Sequence, residues 1–186
     1  MNLTKIQNTI RFLSNRYKRF GGAQYTINEP TTILNHSLQS AFYARHVMNG
    51  TPEQIVFSLL HDYGHIANGA PIFPDTGIDD QHEIIGSQAL KELGFPDSIT
   101  IPISLHVSAK RYLTSIEPNY KLSKGSLLSL QLQGGKMNTS EIVGFEKNPY
   151  YTQALFLRIV DDRCKSQQLF GNDILVFQGY MERILR

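Results

Sequence analysis

The stretch GTPEQIVFSLLHDYGH, residues 50–65, contains the start signals of a helix and carries ionisable groups at its end. Thr51 precedes Pro52, and the glutamine three residues after Thr51 completes a capping box, so a helix is predicted to begin at Pro52. Its inward stripe consists of four apolar residues, Ile55, Val56, Leu59 and Leu60. The helix then runs into the doublet His61-Asp62. A buried carboxylate costs several kcal/mol unless it is paired, so the doublet requires partners from elsewhere in the fold.

Helical patterns recur along most of the chain, and alternating strand patterns are scarce. Helices are predicted in DDQHEIIGSQALKELGFP, with Asp80 as its N-cap, in NPYYTQALFLRIVDD, and at residues 3–17, 33–48, 98–110, 140–146 and 173–185. The long irregular segments are 21–31, 68–79 and 113–138, and loops of this length are typically functional. The sequence therefore predicts an all-α helical bundle with long functional loops, folded as a single domain over residues 1–186.

Composition and charge narrow the class of protein. Hydrophobic residues make up 41% of the chain and charged residues 18%, which is typical of a globular protein. The net charge of +2, without any lysine- or arginine-rich run, predicts no nucleic-acid partner. The amphipathic N-terminal segment has no continuous apolar core, so neither a signal peptide nor a membrane span is predicted. The single cysteine, Cys164, fits a reducing compartment, and we expect a cytoplasmic protein. The sequence makes no prediction of its oligomeric state.

Histidines and aspartates lie in or at the edge of five predicted helical segments. The candidate metal ligands are His36, His61, Asp62, His82, His106 and Asp161. A lone histidine in a helix is more often a packed core group than a ligand. Six such groups from five helices, however, can converge in a bundle interior, as metal ligands do. His46 lies ten residues beyond His36, roughly 80° round the helix, so we exclude it from the set.

The number of these groups indicates how many ions they serve. A set of the form His…His-Asp…Asp suffices for a one-metal hydrolytic site. Four imidazoles and two carboxylates are too many for one catalytic ion that must keep a position open. Two ions that share a bridging carboxylate fit better, and Asp62 is the candidate bridge. Such ligands suit Fe, Mn, Co or Zn, and affinity alone does not choose among them.

Three further residues lie at helical neighbour spacing from the candidate ligands. His65 is three residues after Asp62, Lys110 is four residues after His106, and Arg158 is three residues before Asp161. These offsets predict a site fringed by one imidazole and two cations. The alternative for each residue alone is an ordinary role: an ion pair of Arg158 with Asp161, and a Lys110 side chain that reaches water. Arginine offers a bidentate fork and lysine a point charge to phosphoryl oxygens. We therefore expect an anionic, oxygen-rich substrate, with His65 facing that substrate rather than a metal.

Several motifs, in unbroken order between residues 35 and 165, resemble those of a known family. They are NHSLQSAFYA, LLHDYGH, DDQHEIIGSQALKELGF, HVSAKRYL, SLQLQGGKM and LRIVDDRCK. The chain resembles the HD-domain mixed-valent diiron oxygenases of the PhnZ type, which cleave carbon–phosphorus bonds. HVSAKRYL followed by QGGKM is the most specific part of this resemblance, because a very large superfamily shares the His-Asp doublet.

The resemblance implies a ligand set, a cofactor and a reaction. One iron would be held by His36, His61, Asp62 and Asp161, the other by Asp62, His82 and His106, and the phosphonate by His65, Lys110, Ser126 and Arg158. In the family, an Fe(II)/Fe(III) pair and O2 oxidise a 1-hydroxyphosphonate such as 2-amino-1-hydroxyethylphosphonate. Inorganic phosphate and a carboxylic acid are released. The expected substrate is therefore a small anionic phosphonate.

One loop departs from the family pattern. The family has a Tyr-x-x-Glu pair before the first histidine: the tyrosine caps the open iron, and the pair helps to recognise the substrate amine. Here YTINEP places one extra residue between Tyr25 and Glu29. Glu29 keeps its distance from His36 and can meet an ammonium group, whereas Tyr25 is expected to be displaced. The substituent at C2 of the substrate is therefore open: an amine, a trimethylammonium group or none.

Three other functions compete with the phosphonate oxygenase. An HD phosphohydrolase acting on a phosphomonoester or nucleotide would need only His36, His61, Asp62 and Asp161. A diiron oxygenase similar to inositol oxygenase would act on an uncharged diol, against which Lys110 and Arg158 argue. A non-catalytic binding or scaffolding domain would have lost some of the ligands. The pair His82 and His106 distinguishes the oxygenases from a one-metal hydrolase, but not from those hydrolases of the superfamily that hold two ions.

Overall fold

The computed structural model describes residues 1–26, 29–69 and 77–186. Within these ranges the chain forms ten α-helices, one 3₁₀ helix and one pair of short strands, so the predicted all-α bundle is confirmed. In chain order the elements are α1 (Leu3–Phe20), β1 (Gln24–Thr26), β2 (Glu29–Thr32), α2 (Ile33–His46), α3 (Pro52–Leu60), α4 (Gly64–Ala67), α5 (His82–Glu92), α6 (Asp97–Ile116), α7 (Lys124–Leu132), α8 (Thr139–Glu146), α9 (Tyr151–Arg163), the 3₁₀ helix (Ile174–Phe177) and α10 (Gln178–Leu185).

Helix α3 begins where its capping signals predict. The Thr51 hydroxyl accepts a hydrogen bond from the Gln54 N–H at 3.3 Å, and the Gln54 side chain accepts one from the Thr51 N–H at 2.8 Å. This reciprocal capping box satisfies two amide groups that the helix leaves unpaired. Leu59 and Leu60 are fully buried, so α3 carries the doublet that follows it into the interior.

The helices that bear the candidate ligands pack against one another. Helix α6 contacts α3, α5 and α9, while α2 packs against α3 and α9. Helices α4 and α5 approach so closely at Gly64 that a Cβ there would lie 1.9 Å from the carbonyl oxygen of His82. Any residue other than glycine would force the two helices apart. Gly64 therefore allows the start of α5 to lie beside the His61-Asp62 doublet.

The predicted irregular segments are only partly correct. Residues 21–31 include the antiparallel pair β1–β2, in which Gln24 pairs with Thr32. The prediction for 113–138 is wrong, because α6 extends to Ile116 and α7 occupies Lys124–Leu132. Ser123 caps α7 by accepting a hydrogen bond from the Ser126 N–H at 3.2 Å, a local signal that the sequence contains. Most of segment 68–79 lies outside the described residues.

None of the helices in the described ranges is both long enough and apolar enough to cross a lipid bilayer. Cys164 is buried and carries a free thiol, and its backbone carbonyl contacts the imidazole of His36.

Candidate metal centre

Four buried side chains from α2, the α3–α4 turn and α9 converge on one point, which we call the first cluster. His36 Nε2 lies 3.1 Å from His61 Nε2, 3.3 Å from Asp62 Oδ2 and 3.3 Å from Asp161 Oδ1. His61 Nε2 lies 3.1 Å from the same Asp62 oxygen and 3.9 Å from the Asp161 oxygen. The ligand atoms of His36, His61 and Asp62 lie close enough together to hold one metal ion, and the Asp161 oxygen lies beside them.

A second cluster lies on the other side of Asp62. His82 at the start of α5 and His106 in α6 bring their Nε2 atoms within 3.1 Å of each other. Asp62 Oδ1 is 3.6 Å from the first of these nitrogens and 3.9 Å from the second. The structure thus brings all six sequence-predicted ligands together in two adjacent groups. His46 is exposed and its ring stacks on Phe42 with the centroids 5.7 Å apart, outside both groups.

The two oxygens of Asp62 face different clusters. Oδ2 lies in the first cluster and Oδ1 in the second, the arrangement of a carboxylate that bridges two ions. Both oxygens and Asp161 Oδ1 are buried and form no hydrogen bond within the described residues. Buried carboxylate oxygens without hydrogen bonds are expensive, and a bound cation would satisfy them. The unsatisfied oxygens fit a pair of metal ions.

The imidazoles of both clusters are oriented by their other ring nitrogen. Each Nδ1 lies 2.7–2.9 Å from an oxygen: the carbonyl of Cys164 for His36, of Ser58 for His61 and of Ile103 for His106, and a carboxylate oxygen of Asp80 for His82. Because these oxygens can only accept, each Nδ1 donates, and the unprotonated Nε2 of the neutral ring faces its cluster. This is the tautomer that a metal-binding histidine requires.

In the metal-free protein the ionisable groups of the clusters shift one another's pKa values. Burial opposes ionisation of Asp62, but the neighbouring imidazoles, His61 foremost, hold its pKa well below the usual range. Burial likewise lowers the pKa of His36, yet the carboxylates of Asp161 and Asp62 outweigh it and raise that pKa to about 9. Both shifts show that the buried carboxylates of the metal-free site favour positive charge beside them, as a bound cation would supply.

A cavity of about 40 Å³ opens beside the second cluster. Its walls include every residue predicted to contact substrate: Tyr25, Glu29, His65, Lys110, Ser126 and Arg158. His65 also lies near the second cluster, with its ring stacked on that of His82 at 4.1 Å and its Nε2 4.0 Å from Asp62 Oδ1. The position of His65 is therefore between the candidate metal ligands and the cavity.

The two predicted cations of the cavity have different environments. The Lys110 ammonium donates to Ser129 Oγ at 2.8 Å and to Gln133 Oε1, both neutral groups. Burial and the charge of Arg158 lower the pKa of Lys110 to about 7. Arg158 instead donates to the carboxylates of Asp161 and Asp162. Within the described part of the chain, Lys110 therefore contacts no carboxylate directly, whereas Arg158 contacts two.

The extra residue in the loop does not carry Tyr25 away from the site. The Tyr25 ring packs on that of His36 with the centroids 4.4 Å apart, and it meets His65 edge-on at 6.0 Å. The hairpin pairs Thr26 with Glu29, and its register shifts between the two pairs, as in a β-bulge. Tyr25 therefore lies against the first cluster, and Glu29 is buried in the wall of the cavity.

Asp80 has a different role from the one its sequence position suggests. It does not form the predicted N-cap, because α5 starts after Gln81, which has a positive φ of 50° and caps nothing. Instead, Asp80 Oδ1 accepts from His82 Nδ1 at 2.8 Å, and Asp80 Oδ2 lies 2.9 Å from His65 Nδ1. One carboxylate thus orients two imidazoles. Helical pattern alone could not reveal this contact, which depends on how α4 and α5 meet.

Lys165 is another residue of the site that the sequence analysis overlooked, as are Ser129 and Gln133, which hold Lys110. Lys165 lies in the cavity wall, and its ammonium is 3.7 Å from Glu29 Oε1 and 3.9 Å from Asp161 Oδ1. Its spacing of four residues from Asp161 is the same kind of signal that singled out Arg158, so the sequence contained a pointer to it.

The chain is similar to two named enzymes over most of its length. It is 36% identical over 182 residues to (1-hydroxy-2-(trimethylamino)ethyl)phosphonate dioxygenase (glycine-betaine-forming) of Leisingera caerulea, covering 96% of this chain and 91% of that protein. It is 40% identical over 162 residues to hydroxymethylphosphonate dioxygenase of Gimesia maris, covering 85% and 80%. An uncharacterized protein of Acanthamoeba polyphaga mimivirus is 36% identical over 170 residues, covering 88% and 76%.

No family model matches the chain. Identity above one third, sustained across most of both sequences, nevertheless establishes common membership. The motifs that resemble the HD-domain oxygenases, the two clusters and these two relatives agree. The chain belongs to the family of HD-domain phosphonate dioxygenases.

Proposed function

We propose that this protein is a diiron oxygenase that uses O2 to cleave the carbon–phosphorus bond of a 1-hydroxyphosphonate, with release of phosphate and a carboxylic acid. The observation that carries the proposal is the division of the Asp62 carboxylate between two histidine-containing clusters. A one-metal hydrolase has no use for the second cluster. The two named relatives, both dioxygenases of hydroxyphosphonates, favour the oxygenase over a phosphohydrolase.

The proposed cofactor is a pair of iron ions in the mixed-valent Fe(II)/Fe(III) state, and the two clusters supply donors for two ions. The proposed ligands are His36, His61, Asp62 and Asp161 for one ion and Asp62, His82 and His106 for the other. When bound, the ions would supply dioxygen activation and ligation of substrate oxygens. Imidazole and carboxylate donors also accept Mn, Co or Zn, so the choice of iron rests on the family.

The remaining residues of the cavity bind and orient the substrate in this proposal. His65, Lys110, Ser126 and Arg158 surround the phosphonate, where cations and donors offset its negative charge. Tyr25 packs on the first cluster and limits access to it, while Glu29 faces the substituent at C2. The single-domain organisation and the cytoplasmic location remain predictions from the sequence.

The test is an aerobic incubation of iron-loaded protein with a panel of 1-hydroxyphosphonates, in which phosphate release and oxygen uptake are followed together. We expect equal amounts of phosphate formed and O2 consumed, and no phosphate under anaerobic conditions. A phosphomonoester serves as the comparison substrate. Phosphate release without oxygen uptake would replace the proposal by the phosphohydrolase.

The Asp80→Asn variant is expected to weaken iron binding at the second cluster about 10- to 100-fold, because Asp80 orients His82. The measurement is the iron content per chain after equilibration with a graded chelator. Asp79→Asn is the matched control, since it removes a neighbouring charge whose carboxylate accepts a hydrogen bond from the Gln81 N–H rather than from an imidazole. Equal iron retention by D80N and the wild type would show that Asp80 does not support the cluster.

A further inference from the structure

We propose that Lys165 binds the phosphonate of the substrate, as a cation additional to those that the family resemblance implies. The inference rests on the proposed function, because it concerns a ligand of the same cavity. It follows from three observations. Arg158 already donates most of its hydrogen bonds to protein groups, two cations converge on Ser126, and the ion pair between Lys165 and Glu29 is long.

The guanidinium of Arg158 is largely committed to protein partners. It donates to Asp161 and Asp162, to Tyr120 Oη at 3.0 Å and to Ser126 Oγ at 3.1 Å. These contacts use four of its five N–H groups. Two carboxylates also compensate its single charge. Arg158 therefore supplies little net positive charge to an incoming dianion.

Two cations meet at a single neutral oxygen. Ser126 Oγ accepts a hydrogen bond from Arg158 Nη2 at 3.1 Å and another from Lys165 Nζ at 2.9 Å. A hydroxyl has two lone pairs and one proton, so these two bonds occupy its acceptor capacity and leave the O–H as a donor. The point between Lys165, Ser126 and Arg158 thus presents donors and positive charge toward the cavity. Such a convergence suits a phosphonate oxygen.

The ion pairs of Lys165 are long, and its hydrogen bonds are to hydroxyls. Its ammonium is 3.7 Å from Glu29 Oε1 and 3.9 Å from Asp161 Oδ1, but 2.9 Å from Ser126 Oγ and 3.3 Å from Ser123 Oγ. The side chain is 10% exposed. An ammonium held this way can pair with a phosphonate oxygen and gives up only long ion pairs when it does so. A bound dianion favours the protonated form of Lys110, so Lys110 and Lys165 together offset the two negative charges of the phosphonate.

Because Lys165 pairs with Glu29, binding of the phosphonate is coupled to binding of the substituent at C2. While Lys165 faces Glu29, the carboxylate is partly neutralised. Once a phosphonate draws the ammonium away, Glu29 becomes available to a cationic substituent at C2. Lys165 thus competes between Glu29 and the phosphonate, so neutralising Glu29 should strengthen phosphonate binding when the substrate has no C2 substituent.

The test measures binding of hydroxymethylphosphonate to the iron-loaded protein by anaerobic titration calorimetry, which does not depend on turnover. Lys165→Met is expected to raise the dissociation constant roughly 10- to 100-fold, the range for loss of one charged hydrogen bond. Lys165→Arg should restore most of the affinity. Lys147→Met is the matched control, because this exposed lysine does not line the cavity. Iron content and melting temperature are measured for each variant.

Glu29→Gln separates binding of the phosphonate from a merely structural pairing. If Lys165 binds the phosphonate, E29Q should bind hydroxymethylphosphonate more tightly, and K165M should weaken binding in both the wild-type and E29Q backgrounds. If Lys165 only holds Glu29 in place, K165M will have no effect in the E29Q background, and the inference is overturned. Affinity of K165M within about threefold of the wild type overturns it as well.

The outcomes also separate this inference from the proposed function. Tight binding of hydroxymethylphosphonate that depends on Lys165, without oxygen uptake in air, supports the inference and contradicts the proposed reaction. Oxygen-dependent phosphate release that survives in K165M with unchanged affinity does the opposite. If K165M loses iron or unfolds, E29Q decides alone, since weakened binding in that variant contradicts the competition between Glu29 and the phosphonate.

Discussion

His106→Ala is expected to leave the protein with one metal ion instead of two and to lower oxygen-dependent phosphate release by about a thousandfold. His106 is buried in α6 and contributes one of the two imidazoles of the second cluster. Without it, that cluster keeps only His82 and one oxygen of Asp62, which is too few ligands to retain an ion. A catalytic ion contributes several kcal/mol to the transition state, so its loss predicts an effect of this size. Iron per chain and phosphate released per O2 are the measurements.

The control for this variant is His46→Ala, which removes the same side chain from an exposed position on α2. It should retain both ions and full activity. His82→Ala should behave like His106→Ala, because the two imidazoles are equivalent partners of Asp62 Oδ1. Undiminished oxygen uptake in either variant would contradict the two-ion site. Retained hydrolysis of a phosphomonoester with one ion per chain would instead favour the phosphohydrolase.

Arg158→Ala should destabilise the metal-free protein by about 3–5 kcal/mol, the usual effect of breaking a buried ion pair. Arg158 and Asp161 side chains are each 3% exposed, and Asp162 is 16% exposed. Removing the guanidinium leaves two carboxylates in the interior without their cation. The melting temperature of the chelator-treated protein at neutral pH should fall by about 10 °C for a chain of this length. Arg163→Ala, at the exposed end of the same helix, is the control.

The destabilisation should depend on pH. Although burial opposes ionisation, the Arg158 charge holds the pKa of Asp161 well below its usual range. A carboxyl whose pKa is lower in the folded than in the unfolded chain adds stability above its unfolded value, and that stability is lost as the pH falls through the folded value. The difference between wild type and R158A should therefore be largest at neutral pH and narrow below about pH 4. A difference that stays constant from pH 7 to pH 3 would show that Arg158 acts by packing alone.

Arg158 also illustrates how the structure changes an expectation. The spacing of Arg158 from Asp161 predicts a cation that faces the substrate and by itself assigns Arg158 no effect on iron binding. In the fold it contacts Asp161, one of the proposed ligands of the first cluster. We now expect R158A to lower iron occupancy as well as substrate affinity. Spacing along a helix places two side chains on one face but does not say how many further partners each has.

The residue types and spacings of the sequence were sufficient to predict the fold class and the candidate ligand set. Capping signals at Thr51 and Pro52 and the apolar stripe after them depend on contacts within one helix, so they can be read locally. The presence of His61 and Asp62 at the end of that stripe is likewise visible in the sequence of a single segment. An unpaired buried carboxylate is costly wherever it lies, and this made a converging set of partners predictable.

Only the tertiary structure decided which groups meet across different elements. The division of the Asp62 oxygens, the contact of Asp80 with two imidazoles and the position of Lys165 between Glu29 and Ser126 all join residues from separate helices or strands. Helical periodicity determines the face of each helix that points inward, but the distance between two faces depends on packing, as at Gly64 where α4 and α5 touch. The sequence determines the chemistry of each side chain, whereas the packing of the helices determines which side chains meet.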